Sequence, residues 1–102
     1  MDKLKTIVLK KAGVYIKSLS TSEQIDITTK IKRMSDDNLD AVFTKKLRGP
    51  IYELIVGNHR LIYFTKNRTV CFINAFRKKS RKTPKDIIDS AIKAYKYIKD
   101  HL

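Results

Sequence analysis

The sequence holds one cysteine, no tryptophan, three glycines and two prolines in 102 residues, and only ten acidic side chains against 23 lysines and arginines. The single thiol, Cys71, excludes an internal disulfide. Its place inside the apolar run Val70-Cys71-Phe72-Ile73 reads as core packing suited to a reducing compartment. The two histidines, His59 and His101, lie far apart and do not complete the roughly four ligands of a structural zinc site, so no metal and no cofactor is expected. No stretch approaches the ~20 apolar residues that cross a bilayer. Met1-Asp2-Lys3-Leu4-Lys5 leads into a short apolar segment without a signal-peptide core, and a cytoplasmic location away from the membrane is expected. No repeat or low-complexity segment is present.

What the chain has in excess is positive charge. The formal net charge is +13, which makes a polyanion the natural partner: nucleic acid first, with an anionic membrane or an acidic protein as alternatives. A chain of this length makes one domain, taken as residues 1–102, that buries roughly 60–70% of its unfolded surface.

Leu4 to Leu9 fits a short first strand, possible at a sheet edge, and Gly13 to Leu19 a short helix. Ser20-Thr21-Ser22-Glu23 has the form of a capping box and opens a second helix, whose Ile27, Ile31 and Met34 share one face. Asp36-Asp37-Asn38 ends it, because short polar side chains compete with helical hydrogen bonds. Residues 38–48 admit two readings, one more helical turn or an extended arm lying over the core. Ile51 to Val56 alternates as a strand, Gly57-Asn58 is hairpin-turn chemistry, and His59 to Thr65 resumes the β pattern. After a turn at Lys66-Asn67-Arg68, Thr69 to Phe76 reads as a central strand with Val70, Phe72 and Phe76 on one side and Cys71, Ile73 and Ala75 on the other. Thr83 is expected at the N-cap of a last helix with Pro84 at its first position. The stripe Ile87, Ile88, Ala91, Tyr95, Ile98 and Leu102 would pack, and Tyr95 and Tyr97 with it. The order predicts an α+β fold: a small, mostly antiparallel twisted sheet with an N-terminal helix pair and a C-terminal helix, the helices on one side and the charge on the exposed sheet face.

The stretch from Gly49 to Lys85 carries the chemistry. RNA can be cut without a metal when the 2′-OH is helped to attack the adjacent phosphate, which needs proton acceptance, proton donation and cations around the crowded phosphorane. Arg60 shares a strand face with Ile62 and Phe64, so it is either a phosphate clamp or an end-of-strand arginine snorkelling to water. Lys78 and Lys79 follow a central strand and are aimed by it, or form a solvated turn; neighbouring cations are what lowers a lysine pKa toward neutrality. Between Arg77 and Lys85, six of nine residues are Lys or Arg. Lys46 and Arg48 reach the same surface or sit in a solvated loop. His59 is a proton carrier or surface decoration at a turn. Glu53, the one acid between Pro50 and Lys85, reads as an ion-pair partner for one of these cations.

Three segments carry a family likeness: Leu47-Arg48-Gly49-Pro50-Ile51-Tyr52-Glu53-Leu54, then His59-Arg60-Leu61-Ile62-Tyr63-Phe64, then Phe76-Arg77-Lys78-Lys79-Ser80-Arg81-Lys82-Thr83-Pro84. Together they resemble the HigB-type, phage-derived branch of the RelE/ParE toxin superfamily over the C-terminal half of the chain. The resemblance implies a type II toxin-antitoxin toxin: a ribosome-dependent mRNA endonuclease restrained by a cognate antitoxin, which is expected as a helix-turn-helix protein from a neighbouring gene. It implies Arg60, Lys78 and Lys79 as catalytic residues, with Lys46 and Arg48 as looser matches ahead of the hairpin; the charged surface around them adds His59, Arg77, Arg81 and Lys82, and all six are expected RNA contacts. Ala75, Asn74 and His59 depart from the Gly, His and aromatic residue usual in that pattern. The alternatives are a gyrase inhibitor, as in the ParE branch, and a plain basic nucleic-acid-binding module.

Overall fold

A computed structural model describes residues 3–102; Met1 and Asp2, where the reading of a missing leader begins, lie outside the described residues. The chain runs β1 (Lys5–Val8), α1 (Lys10–Lys17), α2 (Thr21–Ser35), a 3₁₀ turn (Leu39–Ala41), β2 (Phe43–Arg48), β3 (Ile51–Val56), β4 (His59–Lys66), β5 (Thr69–Arg77), α3 (Lys85–Ile98) and a closing 3₁₀ turn (Lys99–His101). The five strands form one sheet in the order β1-β5-β4-β3-β2. β1 joins β5 in parallel, as the edge its shortness suggested, and every other pairing is antiparallel.

Residues 38–48 contain the helical turn, and their extended part is a strand at the sheet edge, not an arm over the core. The 3₁₀ turn comes first and β2 follows, an exposed edge strand paired with β3. At the head of α2 Ser20 is the N-cap as expected: its hydroxyl accepts from the Glu23 N–H at 3.3 Å and donates to Glu23 Oε1 at 2.9 Å, which takes the place of the box's second bond to the Ser20 N–H. Asp37, at φ +59°, turns the chain out of the helix. The β4–β5 turn places both Asn67 and Arg68 at positive φ, the backbone that matches the twist of a tight hairpin.

Both faces of the sheet are covered, which corrects the expectation of helices on one side and a bare charged face. Ala12 and Ile16 of α1 with Ile27 and Met34 of α2 pack on Leu54, Val56, Leu61 and Phe72. On the other face α3 sets Ile87, Ala91, Tyr95 and Ile98 against Ile51, Ile62, Phe64 and Cys71. Phe64 and Phe72, both 0% exposed, thus anchor opposite layers; burying a side chain of this size contributes about 1.5–3 kcal/mol. Tyr95 meets Phe64 edge-on at 4.9 Å, whereas Tyr97 is 78% exposed and does not pack as expected.

A register shift alters β5. Ile62 pairs with Asn74 but Tyr63 pairs with Phe72, so Ile73 is the extra residue of a bulge. Beyond it the side-chain parity reverses. Ala75 joins Val70 and Phe72 on the α1/α2 side, and Phe76 moves to the α3 side with Cys71 and Ile73, the opposite of strict alternation. The last helix starts one residue later than expected: Pro84, at ψ 139°, is the N-cap and its carbonyl accepts from Ile87 and Ile88.

Candidate functional site

Thr83 stands one residue before the N-cap of α3, and its hydroxyl ties down the loop instead: it donates to Glu53 Oε2 at 2.7 Å. Glu53 is 4% exposed and its other oxygen, Oε1, lies 3.9 Å from Arg60 Nε, the ion pair that the lone acid suggested. One carboxylate in the sheet therefore holds both the strand arginine and the end of the basic loop that follows β5.

Glu53, Ile62, Arg60 and Phe76 share the α3 face, as the pairings Glu53–Ile62 and Arg60–Phe76 require. Arg60, only 8% exposed, is held firmly: Nη1 donates to the carbonyls of Gly57 at 2.8 Å and His59 at 3.0 Å. The loop 77–84 arches over this end of the sheet and leaves a cleft of about 230 Å³. Six of its twelve lining residues are Lys or Arg and one, Glu53, is acidic, so it presents a positive potential to solvent. Arg60, Lys78, Lys79, Arg81 and Lys82 all line it, over apolar surface from Phe76, Pro84 and Ile87. Residues separated by eighteen positions in sequence are thereby brought to one hollow. The Lys78 N–H donates to the Asn58 carbonyl at 2.7 Å, which ties the start of the loop to the β3–β4 turn.

The other expected contacts are distributed differently. Arg48 is exposed beside α3, with Nη1 2.7 Å from Asp89 Oδ1, and lies outside the cleft lining. Lys46 pairs with Tyr52 and belongs to the α1/α2 face, whereas Lys45, paired with Glu53, shares the Arg60 face and forms a shallow hollow with Ser80, Arg81 and Lys82. Lys45 was missed because β2 was not assigned from sequence, and a one-residue slip exchanges the faces. Arg77 borders the cleft, but its Nη2 lies 3.4 Å from Glu23 Oε2 on the opposite face.

His59 corrects the expectation of surface decoration, for it is 6% exposed on the α1/α2 face. Its Nδ1 is 2.6 Å from the Tyr15 hydroxyl and its Nε2 2.7 Å from Glu23 Oε2. Both ring nitrogens are thus bonded, one to a hydroxyl that can donate or accept and the other to a carboxylate. The Ser20 hydroxyl foremost, then His59 and Arg77, hold the Glu23 carboxyl below its ordinary value. Burial pushes the Tyr15 hydroxyl up, against the pull of Arg77. Among the described residues no three His, Cys, Asp or Glu side chains gather as a metal-binding group, and no helix is long and apolar enough to cross a membrane.

The family model for phage derived protein Gp49-like (DUF891) matches residues 14–96. No curated protein matches the chain. Solved structures do. The isolated Escherichia coli RelE toxin superposes with a TM-score of 0.58 at 17% identity, over 89% of this chain and 97% of that one. The RelB-RelE antitoxin-toxin complex of Methanococcus jannaschii gives 0.62 at 18% identity, over 82% and 96%. The RelE-RelB complex of Pyrococcus horikoshii gives 0.63 at 12% identity, over 78% and 99%. At such identities the likeness is one of fold, and the fold is RelE-like.

Proposed function

The chain belongs to the Gp49-like phage-derived family, and from its RelE-like fold we propose that it is the toxin of a type II toxin-antitoxin pair, an endoribonuclease that cuts message on the ribosome. The observation that carries this reading is the cleft: a buried arginine fixed by two carbonyls and a carboxylate, in one hollow with four cations of one loop.

In the proposed reaction the 2′ oxygen attacks phosphorus, the bond to the 5′ oxygen breaks, and a 2′,3′-cyclic phosphate and a 5′ hydroxyl result. The 2′-OH proton must leave and the 5′ oxygen must gain one. Arg60 is assigned to the phosphate, where a planar, permanently charged fork stabilises the phosphorane oxygens. Lys78 and Lys79 are assigned to the exchange of protons and to the charge of the transition state. Arg81, Lys82 and Lys45 would track the flanking backbone, and Phe76 offers a ring surface on which a base can stack. Single-stranded message in the ribosomal decoding site is the substrate this reading requires, which places the activity in the cytoplasm. An acidic antitoxin segment would complement the net charge of +13, and the complexes of the RelE relatives support such a partner.

The test is cleavage of message by a translating extract. The parental protein should cut message and arrest growth, and Arg60→Ala or the double change Lys78→Ala/Lys79→Ala should remove both effects. If those variants keep parental cleavage, the site assignment fails. Arrest with intact message and accumulating DNA breaks would replace the nuclease with a gyrase inhibitor.

A further inference from the structure

Tyr15, Glu23, His59 and Arg77 form a bonded cluster on the face covered by α1 and α2, and the cluster meets the cleft only at Arg77. Successive side chains of a strand point to opposite faces, so His59 and Arg60, adjacent in sequence, serve different sides of the sheet. Their backbones do not. The carbonyls of Gly57 and His59 accept from Arg60 Nη1, and the carbonyl of Asn58, between them, accepts from the Lys78 N–H. Three consecutive carbonyls of one turn thus hold the two residues assigned to the scissile phosphate.

The sheet holds the backbone of that turn through the pairings Val56–His59 and His59–Arg77. Gly57 and Asn58 are exposed, and a Cβ at Gly57, at φ +57°, would meet nothing within 4 Å. The side chain of His59 adds a restraint that comes from outside the sheet. Its ring is fastened to α1 through Tyr15 at 2.6 Å and to α2 through Glu23 at 2.7 Å, and Glu23 reaches the end of β5 through Arg77. An imidazole buried to 6% exposure with both nitrogens bonded has one orientation available.

Resting on the nuclease reading above, we propose that His59 is a positioning residue for phosphodiester cleavage: by its ring bonds to Tyr15 and Glu23 it fixes the turn 57–59, and through that turn the guanidinium of Arg60 and the start of the Lys78 loop. It does not touch RNA. The residues that set the cleft geometry therefore include two on the helix pair, Tyr15 and Glu23, which have no part in the cleft itself.

The variants are His59→Phe, which keeps a ring but no bond, and Tyr15→Phe, which removes one hydroxyl and leaves the fold. His59→Gln can still donate to Glu23 and is the conservative rescue. Ile27→Val, a core change in α2, is the stability control. Each is followed by melting temperature, by cleavage at saturating and limiting message, and by the NMR resonance of Arg60 Nε–H. We expect His59→Phe to lower the saturated rate by roughly ten- to a hundredfold, as a displaced reacting group does. Its RNA affinity should stay within about twofold of parental, the scale expected when no phosphate contact is lost. The Arg60 resonance should shift in His59→Phe and Tyr15→Phe, return toward its place in His59→Gln, and stay put in Ile27→Val. An unmoved Arg60 resonance in His59→Phe overturns the proposal. So does a loss confined to RNA affinity, which would make His59 a direct contact. The resonance does not depend on cleavage: if the parental protein cuts no message, the nuclease reading falls while a shifted Arg60 still supports the positioning role.

Discussion

Replacing Glu53 with glutamine isolates the electrostatic centre of the cleft. The amide keeps the shape of the side chain and an oxygen to accept from Thr83, now bonded at 2.7 Å, so the change removes the charge that faces Arg60 and little else. Coulomb's law at the 3.9 Å separation of Arg60 Nε and Glu53 Oε1, with an effective dielectric constant of about 20, gives roughly 4 kcal/mol of attraction. Their side chains are 10% and 6% exposed, so water screens them little. Part of that attraction offsets the desolvation of Glu53 itself, which the amide no longer suffers. Arg60 also keeps its two carbonyl partners, so the expected net loss is about 2–3 kcal/mol. For a domain of this length that is a melting-temperature drop on the order of 10–20 °C. Urea unfolding of Glu53→Gln, Arg60→Met and the double variant closes a double-mutant cycle, with Met preserving the apolar stem of the arginine. A coupling of about 1.5–3 kcal/mol is expected. A coupling below about 0.5 kcal/mol would refute the reasoning, because the carboxylate would then be serving Thr83 alone.

Thr83→Val removes a hydroxyl that donates to a buried carboxylate and should destabilise by about 1.5–3 kcal/mol; amide exchange in residues 78–84 should accelerate, and unchanged exchange there would mean that another contact holds the loop. The carboxyls of Glu23, Asp36 and Asp89 lie below their ordinary values, chiefly through the Ser20 hydroxyl, Lys32 and Lys85 respectively. Their stabilisation is complete above about pH 5, where unfolded carboxylates are ionised, and is lost as pH falls through the depressed native values. Melting temperature should accordingly fall on acidification, and Asp36→Asn/Asp89→Asn should flatten that fall; a steeper fall would contradict the assignment. For binding to single-stranded RNA, Lys78→Ala/Lys79→Ala should reduce the slope of log affinity against log salt by about 1.4, close to 0.7 for each phosphate contact. Lys93→Ala, on an exposed part of α3, should leave the slope unchanged.

The elements were legible where local chemistry is strong. The Ser20 cap and the Gly57-Asn58 and Asn67-Arg68 turns form as read, and the apolar stripe of α3 does so at Ile87, Ala91, Tyr95, Ile98 and Leu102, with Ile92 and Ala94 packing in place of Ile88. The convergence of Arg60 with Lys78 and Lys79 was also legible, since antiparallel neighbours bring the start of one strand beside the end of the next. Other features were not. The bulge at Ile73 leaves no local signal, yet it puts Phe76 rather than Ala75 on the Arg60 face. β2 has an exposed, lysine-rich pattern that resembles a loop, so Lys45 could not be told from Lys46. Thr83 has the form of an N-cap, but the extended Pro84 takes that place and leaves the Thr83 hydroxyl to donate to a buried carboxylate thirty residues away.

By itself the sequence determined the composition of the interface and the identity of its anchors: the excess of cations, their concentration between Arg77 and Lys85, and a single acid among them in Glu53. Charge and periodicity are properties of the chain and survive any folding. Which side of the sheet each side chain serves was decided by tertiary structure alone. Strand parity depends on register, register depends on the partner strand, and so Arg60 faces the cleft while His59, the very next residue back, is locked against the helices on the other side.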